Sequence, residues 1–107
     1  MTVYSSLLAE GAASSAGGVL VYTAPASGVV VVVRDVILYT GGAPPRMSLY
    51  VSQDGVTATS HIFSVVAPTQ NLTYQWHGRQ VLLPGEKLWF SPAGAPCDYR
   101  ISGYTLT

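Results

Sequence analysis

A chain of 107 residues with one cysteine, five Lys and Arg and five Asp and Glu can bury one core, and reads as a single domain over 1–107 with no internal disulfide and no multi-cysteine zinc site. Only 9% of residues are charged and 49% are hydrophobic at zero net charge, against about 25% charged in an average soluble domain, so much of the surface is expected to be covered by other chains. The ten charges are scattered singly, which argues against direct nucleic-acid binding; no apolar run nears the roughly 18 residues of a membrane span, and no signal peptide is expected at the start.

Residues 2–8 read as a short, weakly alternating strand. The small residues 10–18, Glu-Gly-Ala-Ala-Ser-Ser-Ala-Gly-Gly, read as a flexible or close-packed loop that would let the first strand reach a neighbouring subunit's sheet. Residues 19–23 form a strand, and Pro25 and Gly28 turn it, as a hairpin or a Greek-key corner, into the stretch 28–40. Five consecutive valines there, Val29 to Val33, lose χ1 freedom in a helix and suit a pleated surface. Both parities are apolar, so both faces of this strand should be covered, as a core strand or with a subunit interface on one face. Arg34 and Asp35 interrupt the run as gatekeepers against aggregation.

Gly41-Gly42-Ala43-Pro44-Pro45 breaks the ladder, since proline donates no backbone hydrogen bond. Residues 46–53 alternate, with Met47, Leu49 and Val51 opposite Ser48, Tyr50 and Ser52. Asp54-Gly55 predicts a type I′ hairpin turn into a return strand over 56–66. After Ala67-Pro68, residues 71–83 form a strand, and Leu83-Pro84-Gly85-Glu86 has the proline and glycine placement of a type II turn. Strands over 87–91 and 97–107 close the chain. About eight strands at this spacing, with Gly- and Pro-rich turns and no helical period, predict an all-β, antiparallel β-sandwich, jelly-roll-like.

Nothing in the sequence assembles a catalytic site, so no enzyme activity and no cofactor are expected. Gly17-Gly18 and Gly41-Gly42 are not phosphate-cradling patterns. His61 and His77 lie on different predicted strands without a third ligand, so no metal site is expected. Cys97 reads as a buried small hydrophobe. Asn71-Leu72-Thr73 fits a glycosylation acceptor, relevant only to a secreted eukaryotic chain. Tyr74, Trp76, His77, Trp89 and Tyr99 could serve core or interface contacts or line a carbohydrate-stacking surface. Arg34, Asp35, Arg79, Glu86, Lys87, Asp98 and Arg100 are expected mostly near strand ends and turns, setting register more than stability.

Several segments in order resemble a family of small virion proteins of tailed bacteriophages: Val21-Tyr22-Thr23-Ala24-Pro25-Ala26, Val32-Val33-Arg34-Asp35-Val36-Ile37-Leu38, Ser48-Leu49-Tyr50-Val51, Gly78-Arg79-Gln80-Val81-Leu82-Leu83-Pro84-Gly85-Glu86-Lys87-Leu88 and Tyr99-Arg100-Ile101-Ser102-Gly103-Tyr104. Their order and the closing Ile-Ser-Gly-Tyr carry the resemblance, which leaves 56–71 unmatched. It implies a non-enzymatic β-sandwich subunit of the virion, homo-oligomeric, partnered with other phage structural proteins. Its place would be the tail or tail tip, as a minor tail protein, or the major capsid protein's surface, as a decoration protein. A carbohydrate-binding, host-recognition role on a host-surface glycan is the competing expectation.

Overall fold

The computed structural model describes residues 3–14, 16–26, 28–43 and 45–106, with side chains from Leu7 onward. Eight strands run in order: β1 (Val3–Ala13), β2 (Val19–Thr23), β3 (Val30–Thr40), β4 (Arg46–Ser52), β5 (Ala58–Val66), β6 (Thr73–Leu82), β7 (Lys87–Ser91) and β8 (Cys97–Leu106). They build two antiparallel four-stranded sheets, sheet A in the order β1-β8-β3-β6 and sheet B in the order β2-β7-β4-β5.

One rule generates this topology. β1 pairs with β8, β2 with β7, β3 with β6 and β4 with β5, so the chain is one long double-stranded ribbon whose tip is the β4–β5 connection. Successive ladders of the ribbon fall alternately in sheet A and sheet B. The wrap is closed by β8 lying along β3 and β7 along β4. Two Greek keys wound in this way are a jelly roll. Because β2 and β3 lie in different sheets, the turn between them is a corner and not a hairpin.

Parity then selects the core. From β3 come Val31, Val33, Val36 and Leu38; from β4 Met47, Leu49 and Val51; from β7 Leu88 and Phe90; from β8 Cys97 and Ile101; all are buried in one cluster between the sheets. The valine run changes face where β3 bulges at Arg34, between Val33 and Asp35. The extra residue lets both Val33 and Val36 point inward although three positions separate them. Val32, on the opposite parity, is only 1% exposed, between Val81 on β6 and Tyr104 on β8. The outer face of the run is therefore covered at Val32 by this chain's own neighbours, while Val30 on the same parity is half-buried.

Two expectations fail at the start of the chain. β1 continues to Ala13, with Glu10 to Ala13 opposite Arg100 to Cys97, so the first part of 10–18 is strand and not loop. Ladder hydrogen bonds to β8 override the weak β-propensity of Ala and Gly there. β1 also pairs along its length with β8 of the same chain, which removes the reading in which it joins a neighbour's sheet.

The turns divide similarly. At Leu83–Glu86 the Glu86 amide donates to the Leu83 carbonyl at 3.1 Å and Gly85 has φ 80°, as a type II turn requires. The expected type I′ turn at Asp54-Gly55 is instead a five-residue loop, 53–57, with positive φ at Gly55 but not at Asp54. The pattern of two successive positive φ values appears at Ala93 (53°) and Gly94 (88°), between β7 and β8. At the same end of the sandwich as this turn, where the Gly41 amide donates to the Pro96 carbonyl, buried Thr40 gathers the β5–β6 connection. Its backbone N–H donates to Leu72 O, its hydroxyl accepts from Leu72 N and donates to a carbonyl of that connection, and its carbonyl accepts from Asn71 N.

Candidate functional site

The five aromatic and histidine positions singled out in the sequence do not share a surface. Tyr74, Trp76 and Tyr99 turn inward and pack against the core, Tyr99 with its ring 5.6 Å from that of Phe90. Trp76 folds along its own strand, its indole occupying the space a Cβ on Gly78 would need. His77, on the other parity of β6, is exposed on sheet A and pairs with Asp35. Trp89 lies on the outer face of sheet B, since Leu88 and Phe90 beside it point into the core. A stacking surface built from these five residues is therefore not formed: strand alternation sends Trp76 and His77 to opposite sides of sheet A, and Trp89 to the far side of the molecule.

The outer face of sheet A holds most of the charge. Glu10, Arg34, Asp35, Arg79, Asp98 and Arg100, six of the ten charged residues, lie on β1, β3, β6 and β8. Of the seven charges expected near strand ends and turns, Glu86, Lys87 and Asp98 are at a turn or a strand end, whereas Arg34, Asp35, Arg79 and Arg100 sit within strands, where this open face can solvate them. Arg100 Nη1 is 3.3 Å from Glu10 Oε2. Glu10, Gly11, Ile37, Tyr39, Asp98, Tyr99 and Arg100 border an open depression of about 460 Å³. Its polar groups are largely engaged, Glu10 with Arg100 and the Tyr39 hydroxyl with Asn71 Oδ1 at 3.4 Å.

Sheet B carries a more organised feature. The 53–57 loop folds back over the outer face, ordered by the Asp54 carboxylate, whose Oδ1 accepts from the Val56 amide at 2.8 Å and the Thr57 amide at 2.9 Å. Ser52 Oγ accepts from the Gly55 amide and lies within hydrogen-bond distance of Asp54 Oδ1 and the Thr57 carbonyl. Hydrogen bonds from the Thr57 and Val56 amides and the Ser52 hydroxyl hold the Asp54 carboxyl below its ordinary pKa. The loop is clamped to the sheet by Tyr50, whose hydroxyl donates to Gly55 O at 2.7 Å, and by Trp89, whose indole N–H donates to Ser52 O at 2.9 Å. Burial, with the Asp54 charge adding to it, pushes the Tyr50 phenol pKa up, so it remains a donor.

Beside this clamp is a cleft of about 330 Å³ lined by Ser48 and Tyr50 of β4, Ala58 and His61 of β5, Ser91 of β7 and Val56 of the loop. Ser48 and Ser91 are direct cross-strand partners. Tyr50 pairs with His61, their ring centroids 6.0 Å apart. Among the described residues no hydrogen bond reaches either serine hydroxyl or the His61 imidazole; His61 is exposed, and since no buried side-chain polar atom there is left unpaired, the Ser48 hydroxyl opens to solvent although the residue as a whole is only 9% exposed. The sequence announces this cleft only through the polar parity Ser48, Tyr50, Ser52 of β4. The contributions of His61 and Ser91 depend on register, which no local pattern reveals.

Cys97 is buried, and burial, with Asp98 nearby, raises its thiol pKa, which disfavours the nucleophilic thiolate. Among the described residues no three His, Cys, Asp or Glu side chains gather as metal ligands would. In comparisons with protein-family models, curated proteins and solved structures, nothing matches the chain.

Proposed function

We propose that this jelly roll is a non-enzymatic, oligomeric structural subunit of a bacteriophage particle, associated with the tail or tail tip. The observation that carries the assembly part is where six of the nine exposed large apolar side chains among the described residues fall, the other three, Val56, Leu72 and Leu83, being in loops. Leu7, Leu20, Val66 and Val81 sit one on each of the four edge strands β1, β2, β5 and β6, and Ile37 and Tyr39 on the outer face of β3; each is 37% exposed or more. On a chain with 9% charged residues, apolar groups at every sheet edge are what neighbouring subunits would cover. The phage and tail assignments rest on the ordered segments that resemble tailed-phage virion proteins.

The test is to locate the chain in a density map of an intact particle. Density for this fold in repeated copies on the tail supports the reading. Copies on the head surface would instead make it a decoration protein, and absence from purified particles would refute it.

A further inference from the structure

We propose that the cleft between β4, β5 and β7 beneath the 53–57 loop binds a neutral, hydroxyl-rich ligand the size of one sugar residue, held by Ser48, Ser91 and His61. This goes beyond the assembly role and does not depend on it.

Four features converge. The first is the supply of unused hydrogen-bonding capacity. A serine hydroxyl offers one donor and two acceptor sites, and an imidazole offers a donor and an acceptor when neutral. In this cleft two hydroxyls and an imidazole lie together without hydrogen-bond partners among the described residues, and the Ser48 residue as a whole is nine-tenths buried with its hydroxyl open to the cleft. All three groups reach solvent, since no buried side-chain polar atom among the described residues lacks a partner, so water occupies their hydrogen-bonding capacity until a ligand with matching groups displaces it.

The second feature is charge. Among the described residues no Asp, Glu, Lys or Arg lines the cleft, so they offer no fixed counter-charge to a phosphate, carboxylate or ammonium group. Asp54, the nearest acid in sequence, spends Oδ1 on the loop's own amides. Neutral hydroxyl groups, which donate and accept as serine does, are the matching chemistry.

The third is shape. Val56, 85% exposed, and Ala58 supply an apolar wall beside the rings of Tyr50 and His61. A sugar ring presents C–H groups on its faces and hydroxyls at its rim, and this combination suits a cleft with an apolar wall and polar floor. About 330 Å³ lies at the small end of the roughly 300–1,000 Å³ range of ligand sites, room for one sugar residue in a cleft that is open to solvent.

The fourth is rigidity. The overhanging loop is held by Asp54, Ser52, Tyr50 and Trp89, so the cleft exists before any ligand arrives and little ordering cost attaches to binding.

Amide and indole chemical shifts of the intact chain are to be followed while adding glucose, galactose, mannose, rhamnose, N-acetylglucosamine and N-acetylgalactosamine, with glucuronic acid and N-acetylneuraminic acid as charged comparisons. At least one neutral sugar should bind with Kd of about 1 mM, with shifts concentrated at Ser48, Tyr50, Val56, Ala58, His61 and Ser91. Ser91→Ala and His61→Ala should each weaken that binding by about tenfold, the loss of one hydrogen bond. No neutral sugar binding, shifts centred elsewhere, or preference for the charged sugars would each overturn the proposal. The shift map of the unmodified chain decides the matter even if a variant fails to fold.

Discussion

At single residues the fold makes demands that can be read as signs of mutational effect. Ala93 adopts φ 53° next to Gly94 at φ 88°, a conformation that costs an L-residue with a Cβ about 1–2 kcal/mol and that asparagine tolerates better. Ala93→Asn should therefore raise the thermal midpoint by a few degrees; no change or a fall in a calorimetric scan would show that the turn is not strained. Gly103 faces the opposite constraint. A Cβ there would come within 2.0 Å of the Val32 carbonyl oxygen, where β8 runs close against the β3 bulge. Because the obstacle is backbone in a central strand, Gly103→Ala should destabilise the domain by about 1–3 kcal/mol in denaturant titration. Cys97 makes a chemical prediction. Buried and with its pKa raised, it should resist alkylation in the native protein and react once denaturant is added; rapid native-state labelling would contradict its placement.

At the level of elements, the loops that fold back onto the sandwich are tested through the groups that pin them. Thr40→Val keeps shape but removes the hydroxyl bridging β3 to the β5–β6 connection, leaving Leu72 N short of its acceptor; about 1–3 kcal/mol should be lost. The 53–57 loop should respond to acid. The native pKa of Asp54 is lowered, so its contribution is complete above the ordinary carboxylate value of about 3.9 and fades as pH falls through the lower native one. The Trp89 indole N–H resonance should shift as pH drops below that ordinary value, and Asp54→Ala should abolish the acid-dependent shift. These loops also show what could be read in advance. The valine run, the alternation in β4 and the Pro-Gly turn before β7 reveal the strands, because local propensity and tertiary pairing agree there. The extension of β1 through Glu10-Gly11-Ala12-Ala13 is invisible locally, since only its ladder with β8 makes it strand. The bulge at Arg34 and the long loop at Asp54-Gly55 likewise depend on contacts distant in sequence. So does the separation of Trp76 from Trp89: each strand's parity is legible, but which parity faces inward is decided by the opposing sheet.

Across the whole molecule, the ribbon rule pairs each strand with the one equally far from the other end, and it leaves β1, β6, β2 and β5 as open edges. Charge gathers on the outer face of sheet A, where His77–Asp35 and Arg100–Glu10 pairs are exposed and contribute at most about 1 kcal/mol each. The outer face of sheet B instead carries serines, Tyr50, His61 and Trp89 beneath a folded loop. Apolar side chains remain exposed at all four edges. In the proposed assembly these edges would be buried between copies, with the two sheet faces left chemically distinct. The most direct measurement is the molar mass of the purified chain by light scattering across a concentration series. Repeated association to a defined multiple of 11.3 kDa is the predicted result, and a soluble species that stays at the monomer mass at every concentration would contradict the account.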